Sequence, residues 1–131
     1  MAKIMYDHVH IISPDPEAAG DWFVDKFGAS IKGKATAPDG STMVMVDLHG
    51  SNIFLKGRAE PPTHEAPPPA TTYGLEHFGV VTDDLDAAVA DLKAKGVTFT
   101  QDITNFRPGI RISFLLGPDN VLIELLERKP A

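Results

Sequence analysis

The chain of 131 residues has no cysteine. Disulfides and thiolate ligands are therefore excluded, and any metal would have to be held by imidazole and carboxylate. Long apolar runs are also missing: nothing approaches the roughly 20 residues that cross a bilayer. The opening MAKIMYDHVHI lacks the hydrophobic region of a signal peptide. Basic residues are few and scattered, 12 Lys and Arg against 18 Asp and Glu, for a net charge of −6. A surface that follows nucleic-acid phosphates needs clustered cations, so neither nucleic acid nor membrane is an expected partner. The expectation is a soluble cytoplasmic protein. What is present is ordinary for a globular chain, with 43% hydrophobic and 23% charged residues. The length allows one domain, or two half-size units sharing a core, and the chain is read as a single domain over residues 1–131.

An internal repeat organises it. DHVHIISPDPEAAGDWFVDK (7–26) aligns without gaps on EHFGVVTDDLDAAVADLKAK (76–95) at an offset of 69, so that His8 falls on His77, Asp15 on Asp84, Glu17 on Asp86 and Lys26 on Lys95. Each copy starts with an alternating apolar strand, Val9 and Ile11 or Phe78 and Val80. A polar turn follows, SPDP or TDDL, whose Ser13 or Thr82 and Asp15 or Asp84 suit a helix N-terminus. Apolar residues then recur at helical spacing, and Gly28 or Gly96 closes the helix. Helices are expected near 16–27 and 84–95.

Three stretches of strand character follow each helix: ASIKGKA, TMVMVDL and NIFLK in the first copy, VTFTQDI, IRISFLL and VLIELLE in the second. Both copies read β-α-β-β-β, giving module one at 4–56 and module two at 75–128. Between them GRAEPPTHEAPPPATTYG (57–74) holds five prolines, which exclude helix and central strand and mark a semi-rigid linker.

This pair of βαβββ modules resembles the vicinal oxygen chelate superfamily, which includes glyoxalases, fosfomycin and bleomycin resistance proteins and extradiol dioxygenases. The most specific pieces are DHVHIISPDPEAAGDWF, its echo EHFGVVTDDLDAAVADL and the closing GPDNVLIELLE. The resemblance implies an α+β fold in which two tandem modules form a curved mixed sheet around a cup. It further implies a divalent metal on ligands from the first and last strands of each module, chelating a substrate through adjacent oxygens.

Strand alternation agrees about which residues face such a cup. His8, His10 and Ile12 share one face, opposite Val9 and Ile11; His77 and Gly79 lie opposite Phe78 and Val80; Leu122, Glu124 and Leu126 lie opposite Val121, Ile123 and Leu125. A carboxylate between Ile123 and Leu125 needs a partner, because an unpaired buried charge costs several kcal/mol, roughly. On the family pattern His8, His77 and Glu124 fall on three metal-ligand positions. The fourth, where glyoxalases and epimerases usually carry Glu or Gln, is Phe54. Two imidazoles and one carboxylate suit Fe(II), Mn(II), Zn(II) or Ni(II) and leave positions open for substrate.

His10 stands beside His8 either as a proton-transfer group or as an orienting hydrogen-bond partner. Phe54, Phe114 and Leu122 are read as apolar walls for a small-molecule substrate. Arg111, and with it Arg107, are candidates to meet an anionic one, against the commoner reading of surface arginines. His49 in a hairpin and His64 in the linker are read as solvent-exposed, and Asp7 and Glu76 as rim residues facing away from their histidines. Three functions stay open: a metal-assisted lyase or isomerase in which Glu124 or His10 moves a proton, narrowly favoured; a non-haem Fe(II) extradiol-type dioxygenase; and a bleomycin-resistance-like binding protein without chemistry. A homodimer is expected, since sheets built from short modules leave edges that a second copy can cover.

Overall fold

The polar turns after β1 and β5 set where the helices begin, and much of the architecture follows from them. The computed structural model describes residues 2–60 and 73–130. In module one, β1 (His8–Ile12) leads to α1 (Pro16–Phe27), β2 (Ser30–Thr36), β3 (Thr42–Leu48) and β4 (Ser51–Lys56). Module two repeats the order with β5 (Phe78–Val81), α2 (Leu85–Ala94), β6 (Phe99–Arg107), β7 (Ile110–Leu116) and β8 (Leu122–Arg128), with one 3-10 turn at Pro118–Asn120 before β8.

In SPDP the Asp15 carboxylate accepts the Ala18 N–H at 3.0 Å, and the Ser13 hydroxyl accepts the Asp15 N–H at 3.1 Å. Pro16 fills the first helical turn, where a missing N–H costs nothing. TDDL repeats the device: Asp84 accepts the Ala87 N–H at 3.0 Å and Thr82 the Asp84 N–H at 3.2 Å. Such caps are worth about 1 kcal/mol each. Gly28 ends α1 with φ 69°, a left-handed conformation that favours glycine.

Each module is a four-stranded mixed sheet, in the orders β1-β4-β3-β2 and β5-β8-β7-β6. The first strand runs parallel to the last, and every other pairing is antiparallel. The fold is therefore the expected α+β arrangement of two βαβββ modules, and the helices start and stop within a residue of the expected bounds. Most of the proline-rich linker, residues 61–72, lies outside the described residues. Among the described residues no helix is long and apolar enough to cross a membrane.

The helices pack on their own sheets. In module one Ala19 and Phe23 of α1 are buried with Ile11, Val44, Val46, Ile53 and Leu55; in module two Leu85, Val89 and Leu92 of α2 are buried with Leu115, Ile123 and Leu125. Alternation then sends the opposite set of each strand to the other face of its sheet. Gly20 lets α1 come close, since a Cβ there would lie 3.0 Å from Val44 Cγ1. The Phe23 ring, fully buried and edge-on to Trp22 at 5.1 Å, is the largest side chain sealed in this core. Phe23→Ala should cost about 3–5 kcal/mol, read as a lower urea midpoint; a loss below about 1 kcal/mol would show that the ring does not support the module.

Candidate metal centre

The centre of module two is built from the strand pair that the topology forces together. His77 immediately precedes β5, and Glu124 sits in the middle of β8, paired in register with Gly79. His77 Nε2 lies 3.0 Å from Glu124 Oε2, and His77 Nδ1 lies 3.0 Å from Glu76 Oε1. Both ring nitrogens thus meet carboxylates. Phe114, directly opposite Glu124 on β7, stands edge-on to the His77 ring at 5.1 Å. Leu122, opposite Leu116, shares this face of the sheet and adds to its apolar wall.

Module one places the same elements at equivalent positions with one exchange. His8 Nδ1 lies 2.7 Å from Asp7 Oδ2, matching the pairing of His77 with Glu76. Phe54 pairs in register with His10, as Glu124 does with Gly79, and its ring stacks on His8 at 4.2 Å. Where module two joins imidazole to carboxylate, module one joins imidazole to a phenyl ring. His10 lies on the same face, 5.9 Å from His8 between ring centres. Burial pushes its pKa down, and the positive charges of His8, Lys56 and Arg58 add to the shift, so the neutral imidazole is favoured.

Asp7 and Glu76 do not face away from their histidines as strand alternation predicts. Both precede the first paired residue of their strand, so the chain there is free of the pleat and each carboxylate turns onto the neighbouring ring. The repeated acid-His pair at the offset of 69 is the sequence signal for this contact. Metal-binding histidines are commonly oriented in this way: an Nδ1–H donated to a carboxylate fixes the tautomer and leaves the Nε2 lone pair free.

The donors of module two fit a divalent ion. Two ligands each about 2.1 Å from one ion and at right angles are about 3.0 Å apart, and this is the His77 to Glu124 spacing. Among the described residues no three His, Asp or Glu side chains are arranged as a complete metal cage.

The family model for the Glyoxalase/Bleomycin resistance protein/Dioxygenase superfamily matches residues 6–125. The chain belongs to this superfamily. It is 30% identical over 123 residues to the uncharacterized protein YwkD of Bacillus subtilis (strain 168), covering 92% of this chain and 94% of YwkD. It is 27% identical to the lactoylglutathione lyase of Schizosaccharomyces pombe (strain 972 / ATCC 24843), covering 98% of this chain but 47% of that protein, so it spans about half of that relative's length. The glyoxylase/bleomycin resistance protein/dioxygenase domain from Frankia sp. EAN1pec shares the fold, with a TM-score of 0.80 at 19% identity over 99% of this chain and 96% of that one.

Not every candidate residue of this superfamily member lies with the His77 pair. Arg111 sits on the opposite face of β7 from Phe114, beside α2. Its Nε and Nη2 donate to Glu127 Oε1 at 3.2 and 3.1 Å, and Nη2 donates to Asp86 at 2.8 Å. The guanidinium is held there, and its pKa is raised by these carboxylates. His49 is exposed in the β3–β4 turn, and His64 lies outside the described residues. Glu127 escapes a reading that looks only for ligands on the Glu124 face. It is buried, and its Oε2 accepts the first N–H of α2, from Leu85, at 2.8 Å.

That backbone N–H, with Arg111 after it, holds the Glu127 carboxyl below the usual carboxylate range, and Arg111 does the same for Asp86. A depressed folded value means stability that is present above the unfolded pKa and is lost as pH falls through the folded one. Going from about pH 7 to about pH 3.5, the urea midpoint should fall further in the parent than in Glu127→Gln; an equal fall would remove the carboxylate from the account of acid sensitivity.

Proposed function

We propose that the chain is a metal-dependent lyase or isomerase acting on a small substrate with carbonyl or vicinal oxygens. The observation that carries this reading is His77, whose Nδ1 meets Glu76 and whose Nε2 meets Glu124. A core or surface histidine needs no such arrangement, whereas a ligand imidazole is held in one tautomer by the carboxylate on Nδ1 and turns Nε2 toward a second donor that can share the ion. His77 and Glu124 would hold the ion, with Fe, Mn, Zn and Ni all compatible with nitrogen and oxygen donors. His8 is the corresponding candidate ligand of module one, because it shares with His77 both its place in the repeat and its carboxylate-anchored Nδ1. When bound, such an ion acts as a Lewis acid that polarises an oxygen of the substrate.

The residues themselves do the rest. Glu76 and Asp7 orient the imidazoles. Glu124, with one carboxylate oxygen toward His77, is placed to take a proton from the carbon next to the carbonyl, and His10, neutral near pH 7, is the alternative base. Phe114, opposite Glu124 on β7, and Leu122, on the same face of β8, form an apolar wall beside the Glu124 carboxylate. The likeness to a lactoylglutathione lyase supports the lyase class.

The Phe54 to His8 stack favours a second reading. With no carboxylate at that position, the donor set reduces to two histidines and one carboxylate, which suits an Fe(II) extradiol-type dioxygenase. A cup that binds without chemistry, as in bleomycin resistance, would need no oriented imidazole.

Metal analysis of protein purified without added metal separates these. Zinc or nickel supports isomerase or lyase chemistry, iron supports the dioxygenase, and a metal-free protein supports simple binding. His77→Ala and Glu124→Ala should each remove most of the metal while the fold persists, and Glu76→Ala should weaken metal binding about 10–100-fold. Unchanged metal content in Glu124→Ala would overturn the assignment.

The reading includes a homodimer. In each sheet taken alone, β1 or β5 lies at an edge, and Ile4, Met5, Tyr6, Leu75 and Val81 near these edges are exposed. Light scattering should give twice the 14.1 kDa chain mass; a monomer at micromolar concentration would refute the pairing.

A further inference from the structure

On the helix side of the second sheet, away from Glu124, lies a groove of about 480 Å³ lined by Asn105, Arg107, Pro108, Gly109, Arg111, Glu127 and Lys129. We infer that this groove is a binding site for a small organic oxyanion, a carboxylate or phosphate, separate from the metal centre. The argument begins with charge. The chain as a whole carries −6, yet this groove is lined by three cations and one carboxylate.

That carboxylate is already satisfied. Glu127 accepts the Leu85 N–H on one oxygen and two Arg111 nitrogens on the other. Arg111 is in turn committed to Glu127 and to Asp86. The Arg107 guanidinium lies over the Phe106 ring at 5.8 Å and, among the described residues, has no acidic partner. Among the described residues Lys129 meets an acidic group at 3.6 Å, that of Glu127, and its side chain is 60% exposed. Arg107 and Lys129 are therefore cationic heads with donors to spare, and Asn105, opposite Arg111 on β6, adds an amide.

The frame that carries these donors is fixed. The β6–β7 turn is tied to the end of β8 by a hydrogen bond from Lys129 N–H to Gly109 C=O at 2.8 Å, and the half-buried Arg111, paired with the buried Glu127, lines the groove. A planar guanidinium suits the two oxygens of a carboxylate or phosphate, and an ammonium beside it adds a point charge. The volume falls in the range of small-molecule sites. Because Arg111 and Phe114 face opposite sides of β7, as Glu127 and Glu124 do on β8, the occupant and a substrate at His77 would not compete.

The test is an amide NMR titration of the full chain with inorganic phosphate and, separately, with citrate, each against sodium chloride at equal ionic strength. Saturable shifts confined to residues around Asn105, Arg107, Gly109 and Lys129 are expected, and the tighter of the two probes names the oxyanion. Arg107→Ala and Lys129→Ala should each raise the dissociation constant about tenfold, with metal content unchanged. Shifts that sodium chloride reproduces, or a dissociation constant left unchanged in Arg107→Ala, would overturn the site. Displaced resonances at His77 and Glu124 instead would show that the anion binds at the metal centre, and the groove would be rejected while the metal reading stood.

Discussion

The parallel pairing of the first strand with the last in each module is the constraint on which the rest depends. A parallel neighbour cannot be reached by a tight turn, so the chain must travel out through a helix and two further strands before it returns. That detour gives the helix a sheet to cover, and it brings a residue from the start of the module beside one from its end. His77 and Glu124 are 47 residues apart in the chain and 3.0 Å apart in space for this reason. The caps at Asp15 and Asp84 serve the same end, because a helix that began a residue late would shift the strands that follow it.

The two modules put this constraint to different uses. At the position next to the histidine in the last strand, one carries Glu124 and the other Phe54. Carboxylate against imidazole gives a polar pair that a cation can bridge. Phenyl against imidazole gives a stacked apolar contact that no cation can bridge, while the Nδ1 anchor to Asp7 is retained. A similar divergence occurs in the cores: Gly20 of α1 occupies the place that Val89 takes in α2, and the room a side chain would need is already filled by Val44 and Ile31. The two modules share their backbone devices and differ in the side chains that meet across them.

Much of this was legible in the sequence because period-two alternation and the repeat reinforce one another. Ile11, Ile123 and Leu125 fall on the buried face that alternation predicts for them. Alternation fails where the strand has not yet begun, which is why Asp7 and Glu76 turn onto their histidines. It is also silent about partners across strands. Nothing in NFRPGIRISF states that Arg111 will lie opposite Glu127, since that depends on the register set by the Pro118–Asn120 turn. The linker contributes composition without periodicity, so proline content was the only guide there.

The last strand shows how two carboxylates three residues apart come to different tasks. An odd separation puts Glu124 and Glu127 on opposite faces of β8. Glu127 enters the side under α2, where a buried charge is tolerated only with full hydrogen bonding, and it finds this in the Leu85 N–H and the Arg111 fork. It is thereby neutralised in place and fixes the start of the helix. Glu124 emerges on the other side beside an imidazole whose second nitrogen is already held, so its partner is a group that can release it to a cation or a proton. Exchanging their roles would require moving the register by one residue, and that would also carry Ile123 and Leu125 out of the core. The apolar residues between the two acids therefore fix which one is structural and which one is left for chemistry.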